Sequence, residues 1–401
     1  MFKNLATSVL TLSALSLSLF SESARAQASD GVHTRIHHSY QSVRAMGMGN
    51  AFTAVTDDYA ALFYNPAALA RRDSGQINLS LGVGISSSFG DFFKDAQDAD
   101  DLANTKTTDA EKFTVYSDFL QRYYGKTFMT RFSLFEGIWV RPNWGFGILP
   151  LDMTIEYKIH NQVSPALNMR VFADTTIAYG YGDQLRGVLP GNLSWGVTGK
   201  FINRGYINRQ FSAFDLAVNS DFVRDEDFRD GYTVDADLGI LYTPRLPTDG
   251  IWYFWTLAKP TFALVVRNAL ETGFSQSFNL INDTKVEAPE KNYRVIDVGS
   301  KFEFPSFWLF GGRAAVDFKD ILHPNYSFER GLHAGVEFDW TVASWWRGHY
   351  RIGVNQGYPT AGISALLFVF NLDLATYGED VGTFNNPKHN RMYMLKTSLD
   401  F

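Results

Sequence analysis

From Gln76 onward the chain alternates apolar and polar residues in short runs. Ile77, Leu79, Leu81, Val83 and Ile85 alternate with Asn78, Ser80, Gly82, Gly84 and Ser86. Val234, Ala236, Leu238, Ile240 and Tyr242 alternate with Thr233, Asp235, Asp237 and Gly239, and Leu332, Ala334, Val336, Phe338 and Trp340 with His333, Gly335, Glu337 and Asp339. Successive strand side chains point to opposite faces, so each run has one greasy face and one polar, often charged, face. The pattern predicts strands near 76–89, 129–141, 144–158, 169–182, 192–204, 233–243, 261–270, 292–304, 308–318, 331–341, 348–356, 361–369, 370–377 and 389–401. A soluble sandwich turns its greasy faces inward and a membrane barrel turns them outward, so alternation alone does not choose. Strand number and connections do. About fourteen strands, an even number, let an antiparallel sheet close with both chain ends on one side. Segments 90–128, 205–232 and 271–291 are long, whereas Arg141-Pro142-Asn143 and Pro305-Ser306-Phe307 are tight; 244–260 is the exception on the short-turn rim. All nine tryptophans, at 139, 144, 195, 252, 255, 308, 340, 345 and 346, fall near the short-turn ends, as an interfacial girdle requires. The expected fold is all-β: a transmembrane antiparallel barrel of about fourteen strands.

Composition agrees. Of 401 residues, 15% are aromatic, 33 are glycine and only 19% are charged, a mixture suited to sheets and turns. A formal charge of −6 argues against nucleic-acid binding. With no cysteine, disulfide scaffolds, thiolate metal sites, thiol catalysis and cysteine-linked lipid anchors are excluded. Residues 1–26 read as a secretory signal peptide: Lys3, an apolar and serine-rich stretch from Leu5 to Phe20, then Ala24-Arg25-Ala26 as cleavage site, with the mature chain starting near Gln27. No later stretch is apolar enough for a membrane helix. Export plus greasy strands predicts a multi-pass barrel in an outer membrane of Gram-negative type, in contact with outer-membrane lipid. The last strand presents Tyr393, Leu395, Thr397, Leu399 and Phe401 on one face, and its terminal aromatic residue resembles the signal read by the barrel assembly machinery.

Residues 27–75 do not alternate. Ser42 to Phe52 is small and glycine-rich, Thr56 or Asp57 suits the start of a short helix through Phe63, and Asn65 caps a second turn with Pro66 at its first position. Gly47-Met48-Gly49 lacks the third glycine and βαβ setting of a dinucleotide site. Small, compact and partly apolar, the segment 27–75 is of a size to fit inside the lumen of a barrel formed by 76–401. The stretch SVRAMGMGNAFTAVTDDYAALFYNPAALA (42–70) resembles the amino-terminal hatch of the FadL/OmpP1/toluene-transporter superfamily, through Gly47, Gly49, Ala51, Asp57 or Asp58, and Asn65-Pro66-Ala67. The same motif occurs in the PorV-like branch, associated with protein secretion. The resemblance implies a hatch inside the barrel and uptake of hydrophobic small molecules, long-chain fatty acids among them; the PorV-like branch implies a secretion-partner role instead.

The inward face is rich in charge: Asp174, Lys200, Asp235, Asp237, Asp297, Lys301, Glu303, Arg313, Asp317, Glu337, Asp339, Arg351 and Lys396. Cross-strand pairs that brace the lumen and hold the plug explain these better than acid–base catalysis. Such a lumen departs from a greasy tunnel. A dry ligand site belongs between plug and upper barrel, with Leu241, Met392 and Met394 as candidates. His33, His37 and His38 read as a polar arm rather than metal ligands, and nothing in the spacing gives His333 a serine and aspartate for hydrolysis. Asp91, Asp95, Asp98, Asp100 and Asp101 lack the glycine and terminal glutamate of an EF-hand, so a solvated loop is expected; Thr108 to Tyr124 has a helical stripe that suits a cap over the mouth. Neither enzyme activity, metal nor cofactor is expected.

The third strand changes phase. Trp144, Phe146 and Ile148 are apolar at even positions, but Leu149, Leu151, Met153 and Ile155 at odd ones, and the switch falls beside Pro150. A bulge restores the facing by adding one unpaired residue, proline lacks the ladder donor, and Gly145 and Gly147 soften the strand. A bulge that only shapes the wall satisfies this pattern. A sideways opening at Gly147, Leu149 and Pro150 is the functional expectation, in keeping with the kinked third strand of the fatty-acid transporters the chain resembles.

Overall fold

The computed structural model describes residues 35–160, 165–218, 227–247, 252–276, 288–307, 310–382 and 386–401. Fourteen strands of seven to twenty-two residues carry the fold. They are β1 (Gln76–Ser86), β2 (Thr127–Arg141), β3 (Trp144–His160), β4 (Ala166–Leu185), β5 (Gly191–Ser212), β6 (Phe228–Pro244), β7 (Thr261–Arg267), β8 (Val295–Phe307), β9 (Phe310–Ile321), β10 (Leu332–Ala343), β11 (Trp346–Asn355), β12 (Tyr358–Leu367), β13 (Phe370–Asp380) and β14 (His389–Asp400). Each pairs antiparallel with its sequence neighbours, and β1 closes on β14 with Leu79 opposite Leu399 and Val83 opposite Leu395. The sheet is therefore a closed barrel. Closure leaves no edge, and Phe401 N–H still donates to Ile77 O at 2.9 Å.

The greasy face is outside. Ile77, Leu79, Leu81, Val83 and Ile85 on β1 are exposed, as are Val234, Leu238 and Ile240 on β6 and Tyr350, Ile352 and Val354 on β11. Their alternates point inward and are buried, including Asn78 and Ser80, Asp235 and Asp237, and Arg351. A continuous exposed apolar band is intolerable in water and is what lipid requires, so burial direction separates barrel from sandwich. No helix of the described residues is long and apolar enough to cross a membrane. Trp139 stacks edge-on against Trp144 at 4.8 Å, and Trp345 lies against Phe368 at 5.0 Å, on the short-turn rim. The exceptional connection on that rim carries a helix, Trp252–Ala258.

Inside lies α1 (Val43–Gly47), then α2 (Ala61–Tyr64) and a tight 3-10 turn over Pro66–Arg71. Over the opposite rim fold α3 (Phe89–Asn104), α4 (Asp109–Arg122) and α5 (Ala213–Val218). The acidic stretch expected as a loop is thus helical. Phe92, Ala99 and Ala103 fall on one face and pack with Phe119 and Leu120, while the aspartates face out. Thr108 and Glu111 form a reciprocal capping box that starts α4. Phe92 stacks on Phe128 of β2 at 4.2 Å, so this roof is anchored to the barrel's upper rim. Strands β4 and β5 run longer than predicted because their upper ends, with Met169, Ile207 and Phe211, pack beneath it.

Candidate functional site

The plug docks on two sets of wall glycines. Asn65 caps the 3-10 turn by accepting from Ala67 N–H at 3.1 Å and donates to Thr53 O at 2.9 Å, which ties both halves of the plug together. That turn rests on Gly182, Gly196 and Gly239, direct neighbours across β4, β5 and β6. A Cβ on Gly196 would lie 2.3 Å from the Pro66 carbonyl carbon, one on Gly239 2.2 Å from Asn65 Oδ1, and one on Gly182 2.7 Å from Pro66 O. Across the lumen, Gly49 has a φ of +66° and meets Gly353 of β11, while a Cβ on Gly335 of β10 would lie 2.2 Å from Met48 O. Gly47 meets Gly362 of β12, whose Cβ would fall 2.9 Å from the Gly47 Cα. The glycines and the Asn65-Pro66-Ala67 turn of the motif are therefore contact points for matching glycines in the wall.

Charges lock the same contact. Arg44 on α1 donates to Glu337 at 2.6 and 2.9 Å, to Asp57 at 2.6 Å and to Asp58 at 2.8 Å. Asp57 also accepts from Arg313 at 2.5 Å, and Arg351 donates to Glu337 at 2.7 Å. Burial pushes the Asp57 carboxyl up, but Arg44 and Arg313 outweigh it and hold it well below the usual carboxylate range. The other Asp58 oxygen accepts from Ala60 N–H at 2.8 Å, so Asp58, rather than Thr56 or Asp57, prepares the start of α2. Wall side chains satisfy the plug's irregular backbone: Asp317 accepts from Phe52 and Thr53 N–H at 2.8 and 2.7 Å, Thr198 donates to Leu62 O at 2.9 Å, and Arg267 donates to Phe63 O at 2.8 Å. Arg71 bonds Ser194, Thr243 and Leu241 O without a carboxylate, and Arg72 bonds Asp57 O. Elsewhere the lumen is braced by pairs such as Lys200–Asp237 at 2.7 Å, Arg204–Asp174 at 2.7 Å and Lys396–Glu136 at 2.5 Å.

Above the plug, the arm Arg35–Tyr40 crosses the lumen. Its histidines are packed, not loose. His37 stacks on Phe172 at 3.9 Å with Nε2 3.4 Å from Asp174, and His38 lies 3.0 Å from Asp320; His33 lies outside the described residues. Between arm, plug and wall is a cavity of about 80 Å³, with Phe63, Leu149, Phe172 and Ile202 on its apolar side. Leu149 marks the β3 bulge: it pairs with Thr176, Asp152 pairs with Asp174, and Pro150 and Leu151 together face Thr175. Both look outward while Gly145, Gly147 and Leu149 look inward, so the phase change falls two residues later than the apolar pattern suggested. The ladder to β2 is also interrupted between Leu134–Leu151 and Gly137–Ile148. There β2 carries its own extra residue, with Phe135 at φ +55° and 75% exposed. Leu62 and Phe63 of the plug back onto Gly147 just below.

No protein-family model and no curated protein matches the chain. Among solved structures it is similar to the toluene transporter TbuX of Ralstonia pickettii, at 9% identity over 89% of this chain and 97% of that chain, with a TM-score of 0.42. The toluene transporter TodX of Pseudomonas putida gives 10% identity over 89% and 96%, with a TM-score of 0.42. The translocator domain of autotransporter NalP from Neisseria meningitidis gives 10% identity over 89% and 99%, with a TM-score of 0.35. Likeness at this level does not extend to cargo.

Sequence reasoning missed Arg131, Glu136, Asp152, Glu156 and Arg170, all buried and inward. For the four on β2 and β3 the reason is physical: the bulges there invert odd and even beyond them, so a parity count fails on either side; Arg170 shares the parity of Asp174 on the unbroken β4 and was open to the same count. Met392 and Met394 pack with Val43 and Met46 behind the plug rather than in the upper cavity, and Leu241 lines a space of about 350 Å³ beneath it. His333 donates Nδ1–H to Gly49 O at 2.9 Å and is a plug contact.

Proposed function

We propose that the protein carries hydrophobic small molecules, long-chain and fatty-acid-like in shape, inward across an outer membrane of Gram-negative type, without covalent chemistry, and releases them sideways into the bilayer at the β3 bulge. The observation that carries this reading is the meeting of cavity and wall at Leu149, where ladder pairing fails on both sides of one strand. Lipopolysaccharide excludes greasy solutes, so a protein cavity must replace the route through lipid. A polar, charge-braced lumen beneath a seated plug is a poor path for such a solute, and a sideways exit avoids it. At about 80 Å³ the cavity is smaller than the roughly 150 Å³ that admits a benzene ring, so this is a closed state and cargo must displace the arm or Phe63. The 1–26 signal peptide delivers the chain, Phe401 presents it to the barrel assembly machinery, and 27–75 and 76–401 divide as plug and barrel.

The test is uptake of a labelled long-chain fatty acid by cells expressing Leu149→Cys with Thr176→Cys, direct cross-strand partners. Oxidation should abolish uptake and a reductant restore it. Full uptake by the oxidised protein would refute the lateral route.

A further inference from the structure

We propose that the groove between α3 and α4, on the roof of the barrel, is a docking site for a cationic amphipathic helix presented from outside the cell. It is separate from the cavity below and stands whether or not the cargo reading does.

The two helices form a hairpin with an open side. Asp95 accepts from Arg122 at 2.7 Å and from Tyr123 at 2.9 Å, and Asp100 accepts from Tyr116 at 2.8 Å, so α3 and α4 run antiparallel. One face of the hairpin packs on the barrel rim through Phe92 and Phe128. Between the helices lies a groove of about 490 Å³ with an apolar floor of Ala99, Leu102, Val115 and Phe119. Leu102 is 49% exposed there, although it sits between two helices. The sides of the groove are acidic. Asp98 and Asp118, one from each helix, are exposed, and among the described residues neither has a hydrogen bond or an ion pair. The other carboxylates of the groove are engaged, Asp95 as above and Glu111 in the capping box with Thr108. Over residues 89–122 eight carboxylates stand against four cations, so the excess charge has no internal match.

An apolar floor between free carboxylates complements a helix whose apolar stripe is flanked by lysine or arginine. The fourteen residues of α4 extend about 21 Å, room for about four turns of a third helix laid along the hairpin. The same carboxylates repel acids and phosphates, which disfavours both an acidic cargo and lipopolysaccharide at this surface.

The experiment uses the full-length protein in nanodiscs of zwitterionic lipid. It follows the fluorescence anisotropy of a labelled leucine–lysine helix of about fourteen residues, long enough to span the groove. The peptide should bind these discs at least about tenfold more tightly than empty discs, and a leucine–glutamate helix of the same pattern should show no such gain. Asp98→Asn with Asp118→Asn should weaken binding about five- to tenfold, and Leu102→Ser about tenfold. Asp91→Asn with Asp101→Asn removes as much charge from α3 outside the groove and should cost about twofold or less. Retained helical circular dichroism and heat-modifiable gel mobility verify that each variant is folded. An equal loss in the Asp91 and Asp101 variant would mean that bulk roof charge alone attracts the peptide, overturning the groove. Equal binding of the glutamate helix, no gain over empty discs, or unchanged binding in the folded Asp98 and Asp118 variant would overturn it too. Displacement of the peptide by equimolar dodecylammonium would assign the groove to small lipophilic amines and overturn the helix as occupant.

Discussion

The plug's seat on the wall can be broken from the barrel side. Gly196→Val changes one inward residue of β5, a strand in which valine is intrinsically well suited, so the barrel should still form. The new Cβ would lie 2.3 Å from the Pro66 carbonyl carbon, 2.4 Å from Pro66 O and 2.6 Å from Ala67 N, where ordinary contact begins at 3.4 Å. Pro66-Ala67 must retreat by about 1 Å, and valine's methyl groups enlarge the clash. The opposing atoms are backbone fixed by the Asn65 cap, so no side chain can swing away. Overpacking of this kind costs about 1–3 kcal/mol, and the lost cap contacts add about 1 kcal/mol. The plug is therefore expected to leave its seat in a large fraction of molecules. Planar bilayers should report steps of high ion conductance that wild type lacks, as should deletion of 42–70. Wild-type conductance from folded Gly196→Val protein, verified by heat-modifiable mobility, would refute the claim that this row of glycines carries the plug.

Two further perturbations address what locks plug and arm. Glu337→Gln leaves Arg44, Arg313 and Arg351 with one carboxylate fewer in a buried setting, which should destabilise plug seating by about 3–5 kcal/mol and lower the urea midpoint; an unchanged midpoint would show that the pair is dispensable. Burial lowers the His37 pKa to about 3, outweighing its Asp174 contact because Arg204 already neutralises that carboxylate and Arg131 adds repulsion. A depressed histidine pKa makes docking of the arm fully stable above about pH 6.5 and progressively weaker as pH falls toward 3, a loss of about 2 kcal/mol by pH 5. Hydrogen exchange at residues 35–41 should accelerate between pH 7.5 and 5 beyond the intrinsic change, and His37→Phe should remove the effect. Equal protection in wild type and variant at pH 5 would sink this account.

Strand count, facing and the β3 bulge were legible because each depends on local alternation, which membrane and lumen impose residue by residue. Pro150 is the clearest case: one proline and a change of parity located a bulge that the ladder bears out at Pro150 and Leu151. The inward charges beyond the β2 and β3 bulges escaped because parity holds only between irregularities. The helix Phe89–Asn104 escaped because its buried stripe is short and its aspartates read as solvent. The wall glycines escaped for a different reason. In the sequence Gly196 and Gly239 are only small residues at polar positions, and nothing local distinguishes a glycine that softens a strand from one that admits a plug. What distinguishes them is cross-strand adjacency: Gly182, Gly196 and Gly239 form one row only after β4, β5 and β6 take register. The same holds for Gly335 and Gly353 across β10 and β11. A plug with so little regular structure offers many backbone groups, and close approach to a wall without side chains lets those groups reach threonine, aspartate and arginine on the neighbouring positions. Seat and polar lumen are thus one requirement. Bare glycines bring the plug near, and the charged residues beside them satisfy it.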